Sequence, residues 1–178
     1  MKTIILELPT WAHKERANAF KEEFFESNET IINGSGLLDQ LDYDAWLEHT
    51  TKYRDNEMVD EDWVPSTTFF AVRKADNEIV GMVDIRHHIN HPFLSEYGGH
   101  IGYAVRPTQR QQGYATLILV QALEYAQELG LDRVMLGCYA DNEASIRTIS
   151  KYGELAEKKQ YIDGKPMMIY WIDTSRGK

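Results

Sequence analysis

Apolar residues recur at helical spacing in some stretches of this chain and in dense β-branched runs in others, and the two patterns alternate. Ile4 to Leu8 predicts a short first strand. Pro9 and Thr10 open an amphipathic helix to about Ser27, with Ala17, Phe20, Phe24 and Phe25 as its apolar stripe. Asn33 to Gly36 predicts a turn, and Asp42 caps a second helix that carries Tyr43, Trp46 and Leu47. The acidic stretch 56–65 has little periodicity and reads as a loop. Thr67 to Val72 and Ile79 to Ile85 are strands joined by a turn at Asp76 and Asn77. A polar connection from His87 to Gly99 leads to a third central strand, His100 to Val105, which Pro107 ends.

The second half predicts a helix from Gly113 to Leu129 closed by Gly130, a strand from Arg133 to Tyr139, and a shorter helix from Ala144 to Tyr152. Lys159 to Ile162, the Asp163-Gly164 turn and Met167 to Ile172 predict a terminal hairpin. The order is βααβββαβαββ, an α/β (α+β) domain with a mixed, mostly antiparallel central sheet and helices on both faces. No repeat or linker divides residues 1–178, which read as one domain.

Composition adds exclusions. Apolar residues make up 43% and charged residues 26%, as in globular domains. A formal charge of −9 opposes a nucleic-acid partner. No apolar stretch approaches the ~18 residues of a membrane helix, and the opening MKTIILELPT is too short for a signal-peptide core. The lone Cys138 forms no intrachain disulfide, which suits a reducing, cytoplasmic setting. The acidity mildly favours a cationic or neutral small partner.

Chemistry concentrates between His100 and Gly153. The run Arg110-Gln111-Gln112-Gly113-Tyr114-Ala115 sits between a strand and a long helix. The first helical turn offers unpartnered N–H groups and a positive dipole end, and a glycine there lets a phosphate approach the backbone. The loop lacks the glycines of a dinucleotide fold and the lysine of a P-loop.

The R-x-x-G-x-A run, preceded by Gly102-Tyr103-x-Val105-x-Pro107 and followed by Asn142-Glu143-Ala144-Ser145, resembles the GNAT superfamily of N-acetyltransferases. The resemblance is strongest over residues 67–155. It implies the GNAT fold and acetyl transfer from acetyl-CoA to an amine of a small molecule or peptide, with no metal. It places the pantetheine on backbone groups of Ala104 and Val105, the pyrophosphate on Arg110, Gln111, Gln112, Gly113, Tyr114 and Ala115, and the pantetheine arm beside Asn142 and Ser145.

This chain departs from the family pattern twice. It has His100 where many members carry a glutamate, and Ile149 where many carry a tyrosine general acid. His100 reads either as the base or as a histidine packed on the sheet; Glu96 is a second base candidate and Tyr152 a displaced acid. The missing tyrosine keeps a second reading open, an acyl-CoA-binding module with little turnover. Cys138 reads as a buried thiol; His87, His88 and His91 cluster on a strand-to-loop segment that does not suit a zinc site, and Arg86 to Asn90 read as shaping an acceptor pocket or simply leaving the sheet. A homodimer is left open.

Overall fold

The apolar runs become β1 (Ile4–Glu7), β2 (Ser66–Arg73), β3 (Ile79–Arg86), β4 (Ile101–Val105), β5 (Arg133–Tyr139) and β7 (Pro166–Asp173) in the computed structural model, which describes residues 2–55 and 60–177. The 3.6-residue periodicities become α1 (Lys14–Glu26), α2 (Tyr43–Arg54), α3 (Tyr114–Glu128) and α4 (Glu143–Ser150). With β6 (Gly153–Gln160), the order is βααβββαβαββ, as the sequence predicts. The predicted loop 56–65 lies partly outside the described residues, and so does Glu57 of its acidic run.

Side-chain alternation on β2 and β3 decides where the helices pack. Val83 and Ile85 join the core under α3, where Ile118, Leu119, Ala122 and Leu123 are buried. Phe70, Val72 and Met82 point the other way, against Phe20 and Phe24 of α1 and Trp46 of α2. Each fully buried side chain of this size contributes about 1.5–3 kcal/mol. Helices therefore cover both faces. Asp42 caps α2 by accepting the Ala45 N–H at 2.9 Å, and Gly130 follows the end of α3. No helix among the described residues is long and apolar enough to cross a membrane.

The ladders are antiparallel and fall into two groups, a four-stranded sheet β1-β2-β3-β4 and a three-stranded sheet β5-β7-β6. β4 and β5 sit side by side at the seam without a ladder. They are pinned near the start of β4 by an isolated bridge between Gly99 and Leu136, and by the His100 N–H donating to the Met135 carbonyl at 2.7 Å. Beyond that pin the two sheets part.

Three boundaries differ from expectation. The first helix begins at Lys14, because the buried His13 ring accepts the Thr10 N–H at 3.0 Å and holds Trp11–His13 in a 3₁₀ turn. β6 starts at Gly153 and not at Lys159, since it is an edge strand of mostly exposed polar residues with a bulge between Leu155 and Glu157, held by backbone pairing to β7. Leu94–Gly98, expected as part of a plain connection, forms a π-helical turn that buries Leu94.

Candidate active site

Arg106 to Gly113 leaves β4 and delivers the chain to α3. Gly113 is the N-cap, with φ 88° and open space where a Cβ would stand. No side chain caps this end of α3 and no acidic residue lies in its first turn. The first N–H groups are thus available to an anion, and the dipole favours one. Gln111 and Gln112 are exposed beside it. Two lysines that sequence reasoning did not single out flank the turn. Lys2 donates to the Gln112 side chain at 2.8 Å, and Lys151 donates to Thr116 at 3.2 Å. Both are exposed and distant in sequence from the loop, so no local motif points to them.

Two expected phosphate ligands have other engagements. Arg110 makes a double contact with Glu29, both at 2.9 Å, and its Nε donates to the Val105 carbonyl at 3.2 Å. Tyr114 is buried in the core and its hydroxyl accepts from Arg73 at 3.2 Å, so it offers the loop only its backbone. Ala115 follows in the first helical turn, half-buried.

The open edge of β4 runs from this loop along the seam. Successive backbone groups of a strand point alternately to its two sides. Arg106 donates its N–H to Val80 on β3. Val105 and Tyr103 therefore turn their N–H and C=O groups to the seam, and Ala104 turns its groups to β3, where it is paired with Met82. The parity assigns the open-edge role to Tyr103 and Val105, in place of Ala104.

A cleft of about 440 Å³ occupies the seam, with Ile101, Gly102 and Tyr103 on one wall and Leu136, Gly137 and Cys138 on the other. Asn142, Ser145 and Ile149 close one side. Asn142 caps α4 through its Oδ1, which accepts the Ser145 N–H at 3.2 Å; this leaves its amide N–H₂ available to a ligand. Tyr103 donates to the Ser145 hydroxyl at 3.4 Å. Burial pushes the Cys138 thiol up to about 11, so it remains a thiol at neutral pH.

A second cavity of about 380 Å³ adjoins the cleft, and Asn33, Gly34, Arg86 and Phe93 line both. The Asn33 to Gly36 turn forms the partition. Gly34 has φ 69°, and any Cβ there would collide with the Gly102 carbonyl of β4. The floor is Thr68, Asp84 and Arg86, which share the α2 face of β2 and β3. Asp84 is 5% exposed, and its Oδ1 accepts from the Thr68 hydroxyl at 2.9 Å. Asp84 lies between Val83 and Ile85 in an apolar strand, a buried carboxylate that the sequence reading passes over. The far wall carries His49, Tyr53 and Trp63. Burial lowers the His49 imidazole below its ordinary range, against the opposing pull of Asp84.

The predicted catalytic side chains lie outside both cavities. His100 is 5% exposed between β4 and β5; its Nδ1 accepts the Met135 N–H at 2.9 Å and its ring stacks edge-on to Trp171. Burial, with the nearby Arg86 and His88, lowers it to about 4. Glu96 is exposed and paired with Lys159 at 2.9 Å. Tyr152 packs against the α3 core. The phenols that do line the cleft are Tyr97, Tyr103, Tyr139 and Tyr161. His87 bonds Thr67 at 2.8 Å and His91 lines the second cavity, so the histidine cluster is divided. Among the described residues no three His, Cys, Asp or Glu side chains gather as a metal ion would need.

The model of the acetyltransferase (GNAT) family matches residues 37–153. No curated protein sequence matches the chain. Solved structures share the fold. A Bordetella pertussis protein assigned to the GNAT-family acetyltransferases superposes with a TM-score of 0.68 at 16% identity, covering 97% of this chain and 98% of that one. An N-acetyltransferase from Staphylococcus aureus Mu50 gives 0.65 at 16% identity, covering 97% and 99%. The protein yncA from Salmonella typhimurium, an assigned acetyltransferase with its cofactor acetyl-CoA, gives 0.65 at 13% identity, covering 96% and 94%.

Proposed function

The chain belongs to the GNAT acetyltransferase family, and from that premise we propose that it transfers the acetyl group of acetyl-CoA to the amine of a small molecule, with the cofactor in the β4–β5 cleft and the amine in the adjoining cavity. The observation that carries the reading is continuity. An anion site at the start of α3 leads along the free edge of β4 to a cleft that shares its wall with a second, polar cavity. The acetyl-CoA of the Salmonella structure supports the same cofactor here.

Acetyl-CoA supplies the thioester that a neutral amine attacks directly, releasing free coenzyme A. The Gly113–Ala115 turn binds its pyrophosphate through backbone N–H groups, with Lys2 and Lys151 adding positive charge. Tyr103 and Val105 hold the pantetheine through their seam-facing backbone, and Asn142 meets it from the opposite side. The chain's largest contribution is to hold the two reactants in register, up to several kcal/mol. Cys138 takes no covalent part, since its thiol is held protonated. His100 braces β4 against β5. The proton of the incoming ammonium passes through water in the amine cavity to His49, which burial favours in its neutral form and which lines that cavity away from the cleft. A phenol of the cleft wall, Tyr103 or Tyr139, protonates the departing thiolate in place of Tyr152.

The cytoplasm, where acetyl-CoA and reduced Cys138 coexist, is the setting that fits. The test is release of free thiol from acetyl-CoA when purified protein meets a panel of primary amines, with the acetylated amine identified by mass spectrometry. Amine-dependent release supports the proposal. Tight acetyl-CoA binding without release to any amine would leave a binding module.

A further inference from the structure

Among the described residues, the amine cavity is lined by three carboxylates, Asp39, Asp62 and Asp84, and by one guanidinium, Arg86. Their positions differ in consequence. Asp39 is occupied, since its Oδ2 accepts the Ile32 N–H at 2.8 Å and holds the partition loop. Asp62 is exposed at the rim. Asp84 is buried, with one oxygen on Thr68 and the other in an ion pair with Arg86 Nε at 3.7 Å, longer than a hydrogen bond. Arg86 is drawn elsewhere: its NH1 donates to the carbonyls of Gly98 and Gly99 at 3.3 and 3.0 Å. Asp84 thus shares Arg86 with two backbone carbonyls, and the oxygen that only this long ion pair meets keeps acceptor capacity for a second cation in the cavity.

The nitrogen that attacks a thioester is neutral when it reacts, so it does not answer this charge. A second nitrogen that stays protonated does. The cavity's volume of about 380 Å³ is near the lower end of the range for small-molecule sites, ~300–1,000 Å³. Trp63, 44% exposed, lines the far wall, and an aromatic ring there also favours an ammonium group. Resting on the acetyl-transfer reading, we propose that the acceptor is a small aliphatic diamine or polyamine whose unreacting ammonium is held by Asp84 while its other amine reaches past Gly34 and Arg86 to the cleft. Asp84 is thereby a specificity-determining residue, and Asp62 at the rim draws the cation in.

Steady-state thiol release with putrescine and with butylamine, matched in carbon chain, tests this in wild-type protein and in Asp84→Asn. The wild type is expected to show a KM for putrescine at least about tenfold below that for butylamine. Asp84→Asn is expected to raise the putrescine KM by about tenfold or more and to erase the preference, with the acetyl-CoA KM unchanged. Equal KM values in the wild type, where folding of a variant is not in question, would overturn the inference. So would a preference that survives Asp84→Asn, or an equal fall of kcat for both amines, which would make Asp84 the base. Release with neutral or acidic amines but not with putrescine sinks this inference alone. No release with any amine sinks the acetyl-transfer reading with it.

Discussion

His100 offers a sharp test of how the two sheets are joined. The folded protein holds its imidazole neutral, with a pKa lowered from 6.5 to about 4 by burial, while the unfolded chain titrates near the ordinary value. Between those limits the unfolded state binds more protons, so stability falls as the pH drops from about 6.5 to about 4 and levels off below. Each tenfold difference in proton affinity is worth about 1.4 kcal/mol, which makes the loss attributable to His100 ~3 kcal/mol across the window. His100→Asn keeps an acceptor for the Met135 N–H and removes the titrating group. Urea unfolding of wild type and variant, followed by tryptophan fluorescence at half-unit steps from pH 7.5 to 4, isolates the effect as a difference curve, because the other groups cancel. The difference in stability should narrow or reverse in the variant's favour by ~3 kcal/mol toward pH 4. At neutral pH the variant should keep its kcat/KM within a few fold. A flat difference curve would refute the buried neutral imidazole. A hundredfold loss of kcat/KM together with a displaced acidic limb would restore His100 as the base.

Other expectations concern the reacting groups. His49→Gln should lower kcat/KM by about a hundredfold with the acetyl-CoA KM unchanged, and a change of less than threefold would remove His49 from the proton path. Cys138→Ala should keep most of its activity; a thousandfold loss in folded protein, roughly 4 kcal/mol in the barrier, would demand a covalent role. Tyr152→Phe should leave kcat unchanged, since the ring packs in the core and outside the cleft, and a hundredfold fall at constant cofactor affinity would show the displaced acid after all.

The architecture was legible wherever burial leaves a pattern. The stripes of α1 and α3 exist because one face meets a core, the dense runs of β2, β3 and β5 because both faces do, and Asp42 and Gly130 mark the start of α2 and the end of α3 chemically. β6 was only partly legible, since an exposed edge strand carries no hydrophobic period. The turn that opens α3 was legible because it is local, a glycine with φ 88° at a strand-to-helix junction. The second cavity was not, because Gly34, His49, Thr68 and Asp84 meet only through tertiary packing. Asn33 to Gly36 reads as a turn in one dimension and becomes the partition between two cavities once β4 lies against it. His100 illustrates the limit of position-based reasoning: the resemblance marks its place for a base, yet its ring bonds to β5.

Calorimetry with acetyl-CoA on wild-type protein and on Gly113→Glu bears most directly on the central claim, that the cofactor lies along the β4–β5 seam with its pyrophosphate on the first turn of α3. A Cβ at Gly113 meets open space in the fold, so a glutamate there points its carboxylate into the phosphate's position without disturbing the core, at the modest cost of a left-handed backbone. The account predicts saturable binding to the wild type and no measurable binding to Gly113→Glu, with the circular dichroism spectrum unchanged. Equal affinity in the two proteins would contradict it and place the phosphate site elsewhere.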